Sequence, residues 1–343
     1  MTIGIKDVAQ RAGVSVATVS RVFSNGPVSA ALRQKVELAA RETGYRPNLS
    51  ARRLRSRHSG TIGLIVSDIG NPFFTAVGRA VESAAYDAGM RVILCNTDEN
   101  PDKEALYLQL MQEERVTGLI FAPTSTSLAR LGREKLDFPV VLIDRAGPPG
   151  LYDAVVLDNA EASARLVEHL RQRGHDRIGG LFGNTSSTGR ERAQGYENAM
   201  TAAGLTAQAR FIAPRSEAAT AALRQWLDEA DAPSAFIASN GQILLGMMRA
   251  VRQAGLPIRS LVALAGFDNE PWTELVDDGI SVIEQPVNEM GYQAMALLFS
   301  RLQSPEQPVR KVILSGQLIA RGVMTAPLHD PRHPAIGDSE TTG

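Results

Sequence analysis

The sequence predicts an α/β protein in which an all-α head, a helix-turn-helix followed by a hinge helix, precedes two doubly wound parallel-sheet lobes. Three observations carry that expectation. The chain has 343 residues, more than the roughly 250 to 300 at which a single core stops growing. Its charge is split: residues 1–58 hold eleven Lys and Arg against three acids, a surplus of 8 positive charges, which leaves −9 for the rest of a chain whose formal total is −1. Beyond residue 60, ten β-rich apolar runs alternate with amphipathic segments, as in parallel sheets covered on both faces. A hydrophobic share of 44% with 21% charged residues excludes disorder or coiled coil for the bulk.

Three short helical patterns fit the head. Ile5, Val8, Ala9 and Ala12 recur at helical spacing, and Gly13 ends the segment, as glycine after a helix often does. Ser15 is a good N-cap for a second helix running to about Phe23, with Val16 or Val19, Val22 and Phe23 inward. Ser29 caps a third, in which Leu32, Val36, Ala39 and Ala40 form the apolar stripe and Gly44 marks the end. Two helices joined by a tight glycine turn, with a third behind, make a helix-turn-helix. Such a second helix enters the major groove by its N-terminal residues, which must be small; Val16, Ala17 and Thr18 qualify, and their methyls suit thymine. Arg21 offers its fork to guanine. Ser15, Thr18, Ser20 and Asn25 are left for positioning and phosphate contacts.

Downstream, "RPNLSARRLRSRHSG" has Pro47 to break the third helix, Asn48 or Ser50 to start another, and Ser59-Gly60 to end it. A helix of about two turns is marginal alone in water, so it requires a partner to order. Leu54, flanked by Arg53 and Arg55 with Arg52 and Arg57 beyond, has no core to enter; an apolar wedge among arginines is how minor-groove binders bend a duplex.

In the body, the pattern restarts near Asp158, giving two similar lobes. Ligands of open parallel sheets bind beyond the strands' carboxyl ends. Polar and aromatic residues stand at such ends: Phe73 or Phe74 after the first strand, Asp144 and Arg145 after the fourth, Asn240 and Asp268 after later ones, with Arg192 opening a helix and Trp272 one turn past Asp268. Carboxylate, amide and guanidinium groups with aromatic walls are what a polyhydroxylated ligand requires. The glycines of "FGNTSSTGRERAQG" fit neither a P-loop nor a dinucleotide fingerprint and read as a loop at the cleft mouth.

"IKDVAQRAGVSVATVSRVF", "VSAALRQKVELAARETGYRPNLSARRLRS" and "TIGLIVSDIGNPFF" resemble the LacI/GalR family of bacterial transcription regulators nearly residue by residue, over residues 5 to about 322. The resemblance implies Val16 and Ala17 at base-reading positions, Arg21 at the family's arginine, Leu54 at the operator wedge, and Phe73, Asp144, Arg145, Arg192, Asn240, Asp268 and Trp272 at or near effector contacts. It also implies a periplasmic-binding-protein-like body whose helix over 287–302 returns to the first lobe. Gly4, Leu32, Gly241 and the "RGV" of 321–323 depart from the family's usual Thr, Thr, Asp and Arg-x-Ser. The expected division is a helix-turn-helix domain over 1–46, a hinge over 47–59, a two-lobed effector-binding and dimerisation domain over 60–325 and a disordered tail over 326–343.

The reading that follows is a cytoplasmic, dimeric repressor of a pseudo-palindromic operator in double-stranded DNA, controlled by a sugar or sugar-acid effector, with a nucleobase sensor of the same family as alternative. A solute-binding protein would carry a signal peptide and no basic head; the N-terminus "MTIGIKDVAQRAG" has no apolar h-region and no run reaches membrane-span length. No catalytic set is expected: five histidines lack metal-ligand spacing, Cys95 is the single cysteine, and no cofactor, metal or membrane partner is implied. Leu54→Ala is expected to weaken operator binding and reduce bending, read by circular-permutation gel shift; unchanged bending defeats the wedge.

Overall fold

The computed structural model describes residues 4–23, 26–45, 59–131, 136–255 and 262–322. Asn25, the hinge with Arg53, Leu54 and Arg55, and the tail over 326–343 lie outside the described residues. The chain divides into two compact units, Met1–Ser59 and Gly60–Gly343, taken in turn.

The first unit holds α1 (Ile5–Ala12), α2 (Val16–Phe23) and α3 (Ala30–Thr43). Gly4 takes the N-cap position of α1, and its N–H donates to Asp7 Oδ2 (2.8 Å), so Asp7 supplies its half of a capping box while glycine has no side chain to accept from the Asp7 N–H. Gly13 ends the helix at φ 64°, a left-handed conformation open to glycine without a Cβ penalty. Ser15 caps α2 as expected, its hydroxyl accepting from Thr18 N (3.1 Å). Ser29 stands at the N-cap of α3 but its side chain makes no capping bond; Arg33 braces the turn instead, donating to Val22 O (3.2 Å) and Gly26 O (3.4 Å). Val8, Val19, Val22, Val36 and Ala39 make the core. Leu32 is 38% exposed and not part of it, because the inward face of α3 runs through Val36, Ala39 and Ala40.

The second unit has two lobes. In the first, β1 (Thr61–Val66), β2 (Arg91–Asn96), β3 (Gly118–Phe121), β4 (Val140–Ile143), β5 (Asp153–Leu157) and a late strand β11 (Lys311–Leu314) form an all-parallel sheet in the order β11-β5-β4-β3-β1-β2. Its helices are α4 (Pro72–Asp87), α5 (Pro101–Glu113), the short α6 (Ser125–Leu131) and α12 (Val287–Gln303). As the resemblance implied, α12 returns to this lobe: Met290, Ala294 and Leu298 pack with Ile62, Leu64 and Val77.

The second lobe repeats the plan. Strands β6 (Ile178–Gly183), β7 (Gln208–Ile212), β8 (Ala235–Ala238), β9 (Ala263–Phe267), β10 (Ser281–Glu284) and β12 (Gln317–Ile319) run in the order β12-β10-β9-β8-β6-β7, parallel except for β12. Helices α7 (Asn159–Gln172) and α8 (Ser187–Ala202) cover one face; α9 (Ser216–Leu227), α10 (Gly241–Gln253) and the single-turn α11 (Trp272–Leu275) lie with the other. Gly195 of α8 is where the two covering helices touch: a Cβ there would strike the Ala160 backbone of α7. Among the described residues no helix is long and apolar enough to cross a membrane.

In this lobe His169 of α7 is buried, and its Nε2 meets the Ser281 hydroxyl at 2.8 Å. Burial, helped by Arg173, pushes its pKa down to about 4 from 6.5. The native state therefore holds a neutral imidazole where the unfolded chain takes up a proton. Stability from this group is complete above pH 6.5 and lost as pH falls toward 4, by up to roughly 3 kcal/mol. Urea midpoints measured across that window should fall with decreasing pH, and less steeply in His169→Gln.

Candidate functional site

The exposed side of α2 brings the expected DNA-reading residues together. Ser15, Val16, Ala17 and Arg21 are exposed, while Thr18 and Ser20 are half-buried. Between Val16 and Val19 the structure decides clearly: Val19 is fully buried and Val16 is 41% exposed. The small N-terminal residues and Arg21, one turn on, thus share a solvent-facing surface. Asn25 falls outside the described residues.

The second candidate site lies between the lobes. In each sheet the chain leaves one central strand to one side and returns on the other, so the loops after β1 and β3, and after β6 and β8, diverge at a switch point where ligands bind. The cleft there spans about 650 Å³, its open mouth included. Phe73, Asp144, Arg145, Arg192, Asn240 and Asp268 line it, with Phe74, Asp68, Glu99, Arg215 and Gln285. Trp272 does not. Its Nε1 donates to Glu270 Oε2 (2.9 Å) and its ring packs on the second lobe's core.

Every guanidinium nitrogen of the two buried arginines already donates within the protein. Arg145, 4% exposed, donates from Nε to Asp144 Oδ2 (3.2 Å), from Nη1 to Glu99 Oε2 (3.0 Å) and Pro123 O (2.9 Å), and from Nη2 to Glu99 Oε1. Arg192, 3% exposed, donates to Asn159 Oδ1 (2.8 Å), Ser239 O (2.5 Å) and Gln285 Oε1 (3.3 Å), and lies 3.9 Å over the Phe267 ring. Asp268 accepts from Gly241 N (2.8 Å) and Gln285 Nε2 (2.6 Å). Asn240 caps α10 through Oδ1, which leaves its amide N–H groups for a ligand. Asp144 accepts only at Oδ2 among the described residues; burial pushes its pKa up against the pull of Arg145 and Arg192.

Backbone strain concentrates at the same place. Of the six described non-glycine residues with positive φ, four line the cleft: Asp98 (52°), Glu99 (58°), Asp144 (67°) and Asp268 (75°). Each costs on the order of 1 kcal/mol or more and persists only where its surroundings enforce it. The lobes also bond directly across the cleft: Thr188 Oγ1 to Asp144 Oδ2 (3.4 Å), Arg190 Nη2 to Ser125 Oγ (2.7 Å), Ser125 Oγ to Thr185 O (3.1 Å) and Gln242 Nε2 to Gly70 O (2.9 Å).

Sequence reasoning missed Glu99, Asn159 and Gln285, all polar residues just past strands in "CNTDEN", "VVLDN" and "VIEQ"; that position was their signal. The departure at Gly241 has a counterpart too. A Cβ at 241 would collide with Glu270 Oε1, so the missing side chain makes room for a carboxylate from the next strand end.

Residues 4–48 match the bacterial regulatory proteins, lacI family, and residues 167–323 the periplasmic binding protein-like domain. The chain is 31% identical to the HTH-type transcriptional regulator DegA of Bacillus subtilis, over 96% of its own length and 100% of the relative's. This chain belongs to the LacI family. It is also 33% identical to the HTH-type transcriptional repressor PurR of Photobacterium profundum, over 92% and 97% of the two chains. The structure of a lac repressor dimer bound to operator and the anti-inducer ONPF shares the fold, with a TM-score of 0.84 at 24% identity, over 95% and 100% of the two chains. LacI-family repressors bind operator DNA and small-molecule effectors. The protein is a DNA-binding transcriptional repressor of this family with a ligand-binding domain, and not an enzyme.

In this family member Arg145 is therefore expected to hold the first lobe together more than to grip a ligand. Arg145→Met strands the buried Asp144 and the half-buried Glu99 carboxylates, and removing one partner of a buried pair typically costs about 3 to 5 kcal/mol. Chemical denaturation should show a loss of that size with no effector present. A loss under 1 kcal/mol would return Arg145 to the ligand.

Proposed function

We propose that this repressor acts as a homodimer on a pseudo-palindromic operator in the cytoplasm, and that a sugar or sugar acid held between the lobes sets its operator affinity. Two-fold protein symmetry calls for two-fold DNA. In each half-site Val16 and Ala17 meet base edges, Arg21 takes a guanine, and Ser15, Thr18, Ser20 and Asn25 position the helix. Paired hinges place Arg53, Leu54 and Arg55 in the central minor groove. The observation that carries the effector half is the pattern of unused valences in the cleft. Asp144 Oδ1, Asp68 Oδ2 and the Asn240 amide N–H groups have no protein partner among the described residues, and such groups suit paired hydroxyls. A flat nucleobase fits less well, since Phe73 and Phe74 meet each other edge-on at 80° and offer no aromatic sandwich.

Effector control is a coupling free energy, typically about 1 to 3 kcal/mol, and it is reciprocal: operator DNA must change effector affinity by the same factor. Thermal unfolding against a panel of sugars, sugar acids and nucleobases finds ligands that bind the native state. Operator titration by fluorescence anisotropy, with and without each hit, then reads the coupling. A hit that shifts operator affinity roughly 5- to 150-fold supports the proposal; hits that stabilise the protein yet leave operator affinity unchanged overturn it.

A further inference from the structure

Three arginines line the cleft, and they are not equivalent. Arg145 and Arg192 are buried, and their guanidinium nitrogens already donate to protein acceptors. An arginine whose every guanidinium nitrogen already donates to the protein has at most one N–H on each Nη left for a ligand anion, and releasing a bond to offer more would leave a buried acceptor unpaired. Arg215 is different. It is exposed, lines the cleft from the second lobe at the position just before α9, and its side chain has no hydrogen-bond or ion-pair acceptor among the described residues. Its field reaches across to Asp98 of the first lobe, but Asp98 is already bonded to Asn96 Nδ2 (2.7 Å) and Lys103 Nζ. Glu99 is likewise occupied by Arg145. Arg215 is thus the one described cation of the cleft wall left without an acceptor, and a guanidinium fork matches carboxylate and phosphate oxygens in geometry as well as charge.

We propose that Arg215 reads an acidic group on the effector, which makes the ligand a polyhydroxylated acid: its carboxylate or phosphate sits at the cleft mouth and its hydroxyls meet Asp144, Asp68 and Asn240. This rests on the effector reading above and narrows it. It also gives the acid-reading role to a residue the sequence did not single out, and not to Arg145 or Arg192. Arg215 is a specificity residue, and its removal changes which ligands bind more than whether the protein folds.

The test uses the full chain and matched probes: D-glucose, D-gluconate and D-glucose 6-phosphate, with the corresponding galactose and ribose series, titrated calorimetrically. In at least one series the carboxylate or the phosphate should bind tenfold or more tightly than the neutral sugar, and which of the two does so identifies the acid. Arg215→Ala should weaken that acid roughly ten- to a hundredfold and bring the acid-to-neutral ratio toward one. Arg215→Lys should recover part of the preference, and the ligand-free melting temperature should stay unchanged in both variants. Preference for the neutral member, or acid binding that Arg215→Ala leaves intact, overturns the assignment while the effector reading survives. A wild type that binds no member of any series removes the sugar-type effector and this inference together.

Discussion

The buried guanidinium of Arg192 is the constraint on which the cleft depends. A charge brought to 3% exposure must have its desolvation offset by acceptors in good geometry, and those it takes come from three different places in the chain. Asn159 stands where the chain first crosses from β5 into the second lobe, and Gln285 where it crosses back after β10. Ser239 O belongs to the end of β8. One side chain of α8 therefore ties two of the three interlobe crossovers to the second sheet. Gln285 passes the constraint on, since its amide also holds Asp268. The third crossover is tied separately, Arg165 Nη1 donating to Gly316 O (3.1 Å). An apolar residue at 192 would pack, but it would fix neither crossover.

Around this anchor, the strand ends are shaped by a trade between backbone strain and side-chain placement. Asp144 and Asp268 occupy the left-handed region, which short polar side chains tolerate better than most. That backbone turn holds each carboxylate at its strand's carboxyl end, within reach of a ligand, instead of leaving it to cap the next helix. The capping role falls to neighbours: Asn240 caps α10, Ser186 caps α8 through Gly189 N (3.3 Å), and Asn71 caps α4 through Phe73 N (3.1 Å). Glu104 shows the same division of labour one layer deeper. It is fully buried, its carboxylate accepts from Thr124 N (2.6 Å) and the Thr124 hydroxyl (2.8 Å), and burial raises its pKa. Between Thr124 and Ser127, both held by this carboxylate, lies Ser125, which bonds across the cleft.

What was legible in the sequence follows from which signals are local. All ten apolar runs became β1 to β10, because continuous β-branched runs bounded by polar residues are a local pattern. The edge strands β11 and β12 were missed: both are short, partly exposed and separated only by Ser315 and Gly316. The seven-residue α6 was missed because "STSLARL" carries no apolar stripe, and the loop read at "FGNTSSTGRERAQG" is helix from Ser187 onward. At the site, strand-end position located Asp144, Asn240 and Asp268. It could not tell a ligand-facing arginine from one bonded within the protein, because that depends on Glu99, 46 positions before Arg145 in the chain, and on Asn159 and Gln285, 33 and 93 positions from Arg192. Trp272 shows the opposite: one turn past Asp268 looks close in sequence, but its half-buried indole N–H is held by Glu270 and neither residue lines the cleft.

The energetics of closure favour control by a small ligand. The direct bonds between the lobes are few and mostly involve hydroxyl, amide and carbonyl groups, each worth only about 1 kcal/mol net. The crossovers are held far more firmly by Arg192, Gln285 and Arg165. On the proposed function, firmly held crossovers with a weakly bonded cleft let the lobes open and close, and a ligand shifts such an equilibrium only by its difference in affinity for the two arrangements. A ligand meeting Asp144 on one lobe and Asn240 on the other touches both walls at once only when the cleft is closed. Its binding energy is therefore differential by construction. This is why unused valences distributed over both walls, more than the depth of the cleft, are the structural condition for an effector.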